Sequence, residues 1–139
     1  MALLDVNALV ALGWDSHVHH QAVREWFRDH ADSGWQTCPV TESGFVRVSS
    51  NPRVLPHRID VASAIRFLAE LKKVGRHRFL EDDVSVTDPD LPRIHGYRQV
   101  TDAHLLTIAI RNDVPLLTFD TAIAELADPH EVALLTLTS

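Results

Sequence analysis

Leu3-Leu4-Asp5-Val6-Asn7-Ala8-Leu9-Val10-Ala11-Leu12 decides the fold of this chain. Leu3 to Asp5 has the length and apolar character of a short buried strand that ends on an acid, and the residues through Leu12 continue as helix. Two further apolar runs and three further acids at helix starts follow. Trp35 to Pro39 is a second short apolar run, after which Thr41 opens a helix carrying Glu42 through Phe45, Val46 and Val48, stopped by Ser49-Ser50-Asn51-Pro52. Thr101 is placed to cap a helix from Asp102 to Asn112, and Pro115 to Phe119 reads as a buried strand after which Asp120 caps a helix through Leu126. Each of the four acids thus falls where a helical pattern begins.

The segments between complete the pattern. Ser16 is a candidate cap for a helix from His17 to about His30, with Val18, Ala22, Val23, Trp26 and Phe27 at helical spacing. Asp60 caps a helix whose Val61, Ala64, Ile65, Leu68 and Leu71 form one stripe, with Gly75 suited to its C-terminal end. Phe79 to Val86 is a short strand interrupted by Glu81, Asp82 and Asp83, Thr87 to Tyr97 is a loop or broken helix, and Val132 to Leu137 is a last strand. Alternating strands and helices with short connections predict an α/β fold, a mainly parallel central sheet with helices on both faces. In such a sheet the strand ends converge on one edge, and ligands bind in the crevice there.

Length and composition bound the reading. At 139 residues, 45% apolar and 23% charged, the chain is expected to form one globular domain, 1–139, with a core that needs no staples. A single cysteine, Cys38, excludes an internal disulfide and suits a reducing compartment as a small buried side chain. The apolar opening is interrupted by Asp5 and Asn7 and has no basic residue before it, so neither a signal peptide nor a membrane span is expected; the expected location is the cytoplasm. The net charge of -6 is unevenly spread. Residues 47–78 hold eight basic side chains (Arg47, Arg53, Arg58, Arg66, Lys72, Lys73, Arg76 and Arg78) against Asp60 and Glu70, while both flanking segments are acidic. A polyanion would meet a cationic wall beside a carboxylate cluster, and Arg47, Arg53, Arg58, Lys72, Lys73, Arg76 and Arg78 are the candidate contacts with it.

Taken singly, Asp5, Glu42, Asp102 and Asp120 are ordinary helix-start residues, each worth about 0.5–2 kcal/mol as a cap or dipole partner. Gathered at one sheet edge they cannot be only that. Two carboxylates about 4 Å apart repel by about 4 kcal/mol at an effective dielectric near 20, so a cluster of four calls for a cation or for protonation. An all-oxygen donor set is poor for zinc and suits Mg²⁺ or Mn²⁺. Asn7 and Thr118 stand next in sequence to two of these acids and are candidates to orient them. The nine histidines, including His17, His19, His20 and His104, lack the spacing of a helical zinc site and are expected in structural or surface roles.

Leu-Leu-Asp5-Val-Asn7, Thr41-Glu42 followed by Gly44-Phe45-Val46-Arg47, Thr101-Asp102-Ala-His-Leu and Leu116-Leu117-Thr118-Phe119-Asp120 together resemble the PIN-domain ribonucleases, and within them the VapC toxins of bacterial toxin-antitoxin pairs. The resemblance spans essentially the whole chain in order. It implies a three-layer α/β/α sandwich in which Asp5, Asp102 and Asp120 bind one or two Mg²⁺ or Mn²⁺ ions, Glu42 is a ligand or base, and Thr118 is a polar neighbour. It further implies cleavage of a structured RNA, tRNA or rRNA, inhibition by a cognate VapB antitoxin, and a homodimer or toxin-antitoxin hetero-oligomer. Water as nucleophile would leave 5'-phosphate and 3'-hydroxyl ends. One departure stands out: after Asp120 many relatives carry a basic or aromatic residue within three positions, where this chain has Thr121, Ala122 and Ile123. Two rivals compete. A phospho-acceptor receiver module also holds Mg²⁺ at strand ends but uses an adjacent acid pair and a late lysine, whereas the lysines here are Lys72 and Lys73. A noncatalytic RNA-binding PIN-like domain would lack some of the acids.

Overall fold

Leu3 and Leu4 point to opposite faces of one strand and both are fully buried, as are Leu116 and Leu117, so each pair sits in a sheet covered on both sides. The computed structural model describes residues 1–54, 59–125 and 132–134. In chain order these form β1 (Leu3–Leu4), α1 (Val6–Gly13), α2 (His20–His30), β2 (Trp35–Thr37), α3 (Pro39–Ser49), α4 (Val61–Leu71), β3 (His77–Phe79), α5 (Val100–Arg111), β4 (Leu116–Thr118), α6 (Thr121–Ala124) and β5 (Val132–Leu134). The strands lie in the order β3-β2-β1-β4-β5 and every neighbouring pair is parallel. Leu3 is level with Gln36 on one side and Leu116 on the other. The result is the three-layer α/β/α sandwich expected from the alternation of elements.

Two hydrophobic layers flank the sheet. On one side Ala2, Leu4, Trp35 and Leu117 pack with Leu9 and Val10 of α1, Val23 and Phe27 of α2, Phe45 of α3 and Leu68 of α4. On the other, Leu3, Cys38 and Leu116 pack with Leu105, Leu106, Ile108 and Ala109 of α5, and with Leu80, Val84 and Ile123. Cys38 is buried as expected. Helix α3 crosses α1 closely at Gly44, where a Cβ would lie 2.5 Å from a methyl of Val6. That contact seats the starts of α1 and α3, the segments that follow Asp5 and carry Glu42.

Several boundaries differ from the sequence reading, each for a local reason. Helix α2 begins at His20 and not at His17, and Ser16 is not its cap. The His19 N–H is taken by His17 Nδ1 at 3.1 Å, and successive turns bond His17 to Trp14 and His20 to His17, a local bond that competes with helix. Helix α3 begins two residues before Thr41, with Pro39 at its first position, where a missing N–H is harmless; the Thr41 hydroxyl instead accepts from the Cys38 N–H at 3.0 Å. Thr101 lies inside the first turn of α5, which a single 3-10 turn, Tyr97–Gln99, leads into. Asp60 does cap α4, accepting from the Ser63 N–H at 2.7 Å. Helix α4 stops at Leu71, and Gly75 serves the turn into β3: its φ is +63°, and a Cβ there would meet the Ala31 carbonyl oxygen at 2.6 Å.

The third strand is His77–Phe79, not Phe79 to Val86. It is an edge strand paired only with β2, and its side chains are half-buried or exposed, so it has no apolar run to reveal it. The expected strand region follows as irregular chain, with Leu80 and Val84 buried and Asp82 bonded to His104 Nε2 at 2.9 Å. Arg111 holds the next loop through Asp88 and Asp90. The expected extensions of α6 to Leu126 and of β5 beyond Leu134, like Arg58, lie outside the described residues.

Candidate active site

Asp5 leaves β1 and caps α1: its Oδ1 accepts from the Ala8 N–H at 2.7 Å. Asp120 leaves β4 and caps α6, accepting from the Ala122 N–H at 2.9 Å. Glu42 and Asp102 sit in the first turns of α3 and α5. All four are therefore helix-start residues, and three of them also act on one another. Burial pushes the Asp5 carboxyl up to about 6, with the charges of Asp102 and Asp120 adding to it while the Thr118 hydroxyl and the Ala8 N–H pull the other way. Burial and the charge of Asp120 likewise push Asp102 up to about 6. Asp5, Asp102 and Asp120 thus share one patch of negative potential at the carboxyl ends of β1 and β4.

A cavity of about 260 Å³ opens at this patch, lined by Asp5, Asn7, Arg47, Thr101 and Asp102 among others. Asn7 is exposed at its rim, and Thr118 is fully buried, its hydroxyl accepting from the Asp120 N–H at 3.0 Å. Thr118 touches the site from below, through both Asp5 and the Asp120 backbone. Among the described residues of the candidate RNA-binding set, Arg47 is the one that lines this cavity.

Glu42 has a different environment. Its Oε2 accepts from the Thr37 hydroxyl at 2.6 Å and pairs with Lys72 Nζ at 2.9 Å. The carboxylates that raise Asp5 are Asp102 and Asp120, and Glu42 is not among them. Lys72, expected as a free RNA contact, is instead bound to Glu42 and also lies 5.2 Å from the centre of the Phe79 ring. Lys73 pairs with Glu70 on the exposed side of α4. Arg53 is exposed in the turn after α3, Arg78 is exposed on β3, and Arg76 stands at the amino end of β3, the opposite end of that strand from the acids' edge. Two neighbours went unnoticed in sequence, Thr37 and His77, whose Nε2 lies 2.7 Å from the Thr37 hydroxyl; His19, expected in a structural or surface role, stacks its ring on Phe119 at 4.2 Å beside Asp120. Desolvation, with Lys72 adding to it, holds His77 below the usual imidazole range. Nothing in the order of residues marks the pairing of Thr37 with His77 or of His19 with Phe119, because each joins elements far apart in the chain.

Among the described residues no three His, Cys, Asp or Glu side chains are gathered closely enough to hold a metal ion without moving. The donor chemistry nonetheless fits a hard divalent cation. The acidic groups offer carboxylate oxygens, and Asp5 and Asp102 carry a cost of ionisation that a cation would relieve.

These observations define an α/β domain with mutually repelling carboxylates, Asp5, Asp102 and Asp120, at the carboxyl edge of a parallel sheet. Residues 2–129 match the PIN domain. The chain is 65% identical to Ribonuclease VapC38 of Mycobacterium tuberculosis over 127 residues, 91% of this chain and 90% of that protein. It is 43% identical to Ribonuclease VapC39 over 137 residues, 96% of this chain and 99% of that protein, and 44% identical to Ribonuclease VapC44 over 131 residues, 92% of each, both from the same species. The chain belongs to the PIN-domain family, among its VapC members. No described helix is long and apolar enough to cross a membrane.

Proposed function

We propose that this chain is a metal-dependent endoribonuclease, the toxin of a VapBC-type pair, that hydrolyses a structured cellular RNA, tRNA or rRNA, to leave 5'-phosphate and 3'-hydroxyl ends. The observation that carries the reading is that Asp5 and Asp102 line one cavity with Arg47 while the charge of Asp120 bears on both. The names of the relatives, each a ribonuclease, support RNA as the substrate.

In this reading Asp5, Asp102 and Asp120 hold Mg²⁺ or Mn²⁺, which when bound supplies an acidified water and neutralises charge on the phosphoryl group. Asp5 and Asp102 are the central ligands, and Asp120 binds directly or through water. Asn7 and Thr118 orient the acids, as polar partners of metal ligands commonly do. Glu42 accepts the proton of the attacking water or joins the ligand set. Arg47 receives a substrate phosphate, a contact that positions RNA without reading its sequence. A VapB-type antitoxin is the expected inhibitor, and the assembly is a homodimer or a toxin-antitoxin hetero-oligomer.

The test is to incubate the purified chain with total tRNA and rRNA, with Mg²⁺, with Mn²⁺ and with EDTA, and to map the product ends. Cleavage restricted to the metal-containing reactions, with 5'-phosphate ends and loss of activity in Asp102→Asn, supports the reading. Products ending in 2',3'-cyclic phosphate, or cleavage undiminished in EDTA, overturn it.

A further inference from the structure

Glu42 is held by three other elements. Thr37 ends β2, Lys72 follows α4, and His77 begins β3. The Thr37 hydroxyl has one proton and gives it to Glu42 Oε2 at 2.6 Å. Its contact with His77 Nε2 at 2.7 Å must therefore be accepted, so His77 carries its proton on Nε2. Lys72 Nζ brings a second donor to the same Oε2 at 2.9 Å. Among the described residues no hydrogen-bond donor reaches Glu42 Oε1. The chain of bonds is braced from below: Thr37 is fully buried, and the His77 ring lies edge-on to Trp35 at 4.6 Å, whose indole N–H bonds the Val74 carbonyl at 2.9 Å. Lys72 is fixed by the Phe79 ring beneath it.

An isolated surface ion pair holds little. Here two donors converge on one carboxylate oxygen, both side chains are mostly covered (30% and 20% exposed), and one donor is itself oriented by a histidine. Such an arrangement fixes the Glu42 rotamer and leaves Oε1 as the oxygen not engaged by either donor. We propose that Lys72, Thr37 and His77 form a clamp that positions Glu42, with Oε1 as its working atom, so that Lys72 serves the cleavage reaction through Glu42 and not by binding RNA. The inference rests on the reading of Glu42 as a participant in RNA cleavage.

The experiment is steady-state cleavage, by the purified full chain with Mg²⁺, of the RNA fragment mapped in the experiment above. Lys72→Ala, Lys72→Arg, Thr37→Val and Glu42→Gln are compared, with Lys72→Met as a second lysine variant that keeps the aliphatic stem on Phe79, and thermal melts confirm folding. For partners that orient a ligand or base, loss runs about 10–100-fold, and that fall is expected in kcat for Lys72→Ala, Lys72→Met and Thr37→Val. KM and the salt dependence stay at wild-type values, Lys72→Arg recovers most of the rate, and adding Lys72→Ala to Glu42→Gln causes no further loss. If Lys72→Ala and Lys72→Met raise KM and flatten the salt dependence at unchanged kcat, Lys72 is a phosphate contact and the clamp is refuted. The clamp is equally refuted if they change nothing while Glu42→Gln is inactive. A fully active Glu42→Gln removes the clamp and leaves the ribonuclease reading standing, whereas a wild-type chain inert toward RNA removes both, so the two failures are told apart.

Discussion

Replacing Asp5 by asparagine should make the metal-free protein more stable, and the size of the gain should depend on pH. Asparagine caps a helix about as well as aspartate, so the bond from the Ala8 N–H survives. What it removes is a charge that its surroundings oppose. Asp5 is 6% exposed, and its carboxyl is raised from 3.8 to about 6, first by burial and then by Asp102 and Asp120. At about 1.4 kcal/mol per pKa unit, keeping it ionised at neutral pH costs up to about 3 kcal/mol. The sign follows from proton binding. Between about pH 4 and 6 the folded protein holds on Asp5 a proton that the unfolded chain has released, so the Asp5 contribution to wild-type stability is most favourable below about pH 4 and is lost as pH rises through 6. Asp102 works in the same direction, with a smaller effect because solvent screens a half-exposed group. Urea denaturation in EDTA should therefore find Asp5→Asn more stable than wild type by up to about 3 kcal/mol at pH 7.5, with the difference shrinking toward zero at pH 4. A variant no more stable at pH 7.5, or a gain equal at both pH values, refutes the account of Asp5 as a charge held at a cost.

Arg47→Ala should raise KM for RNA with little change in kcat, and should reduce the slope of log affinity against log salt by about 1, the mark of one lost phosphate contact. Gly44→Ala should lose about 1–3 kcal/mol from the clash with Val6, measured by thermal or chemical denaturation. Val6→Ala in the same chain should restore much of that loss by returning the space between α1 and α3.

The parts of this molecule that could be read from sequence are those whose physics is local. Leu3-Leu4 and Leu116-Leu117 announce strands because both faces are buried, and the acid after each run announces a helix start because capping needs only the next few N–H groups. Asp60 was readable for the same reason. Strand β3 was not, since a single-sided edge strand with exposed Arg78 and Phe79 needs no apolar run and is held by its pairing to β2. The start of α2 was hidden by a histidine bonding its own neighbour's backbone. The site divides in the same way. Asp5, Asp102 and Asp120 follow from parallel topology, whereas the capture of Glu42 by Lys72 depends on where α4 ends against β2 and β3, a packing outcome that charge counting alone assigns to the solvent. A stretch of eight basic residues is consequently a poor guide to which of them meets RNA: Arg47 lines the cavity with the acids, while Lys72 and Lys73 are paired within the protein.

The account stands most directly on whether these carboxylates hold a divalent ion. Titrating Mn²⁺ into the purified chain, followed by calorimetry and by the loss of its free-ion paramagnetic resonance signal, answers this without RNA. Saturable binding by the wild type that is lost in folded Asp5→Asn and Asp102→Asn is the predicted result, and equal binding by all three proteins, or none by any, would contradict it.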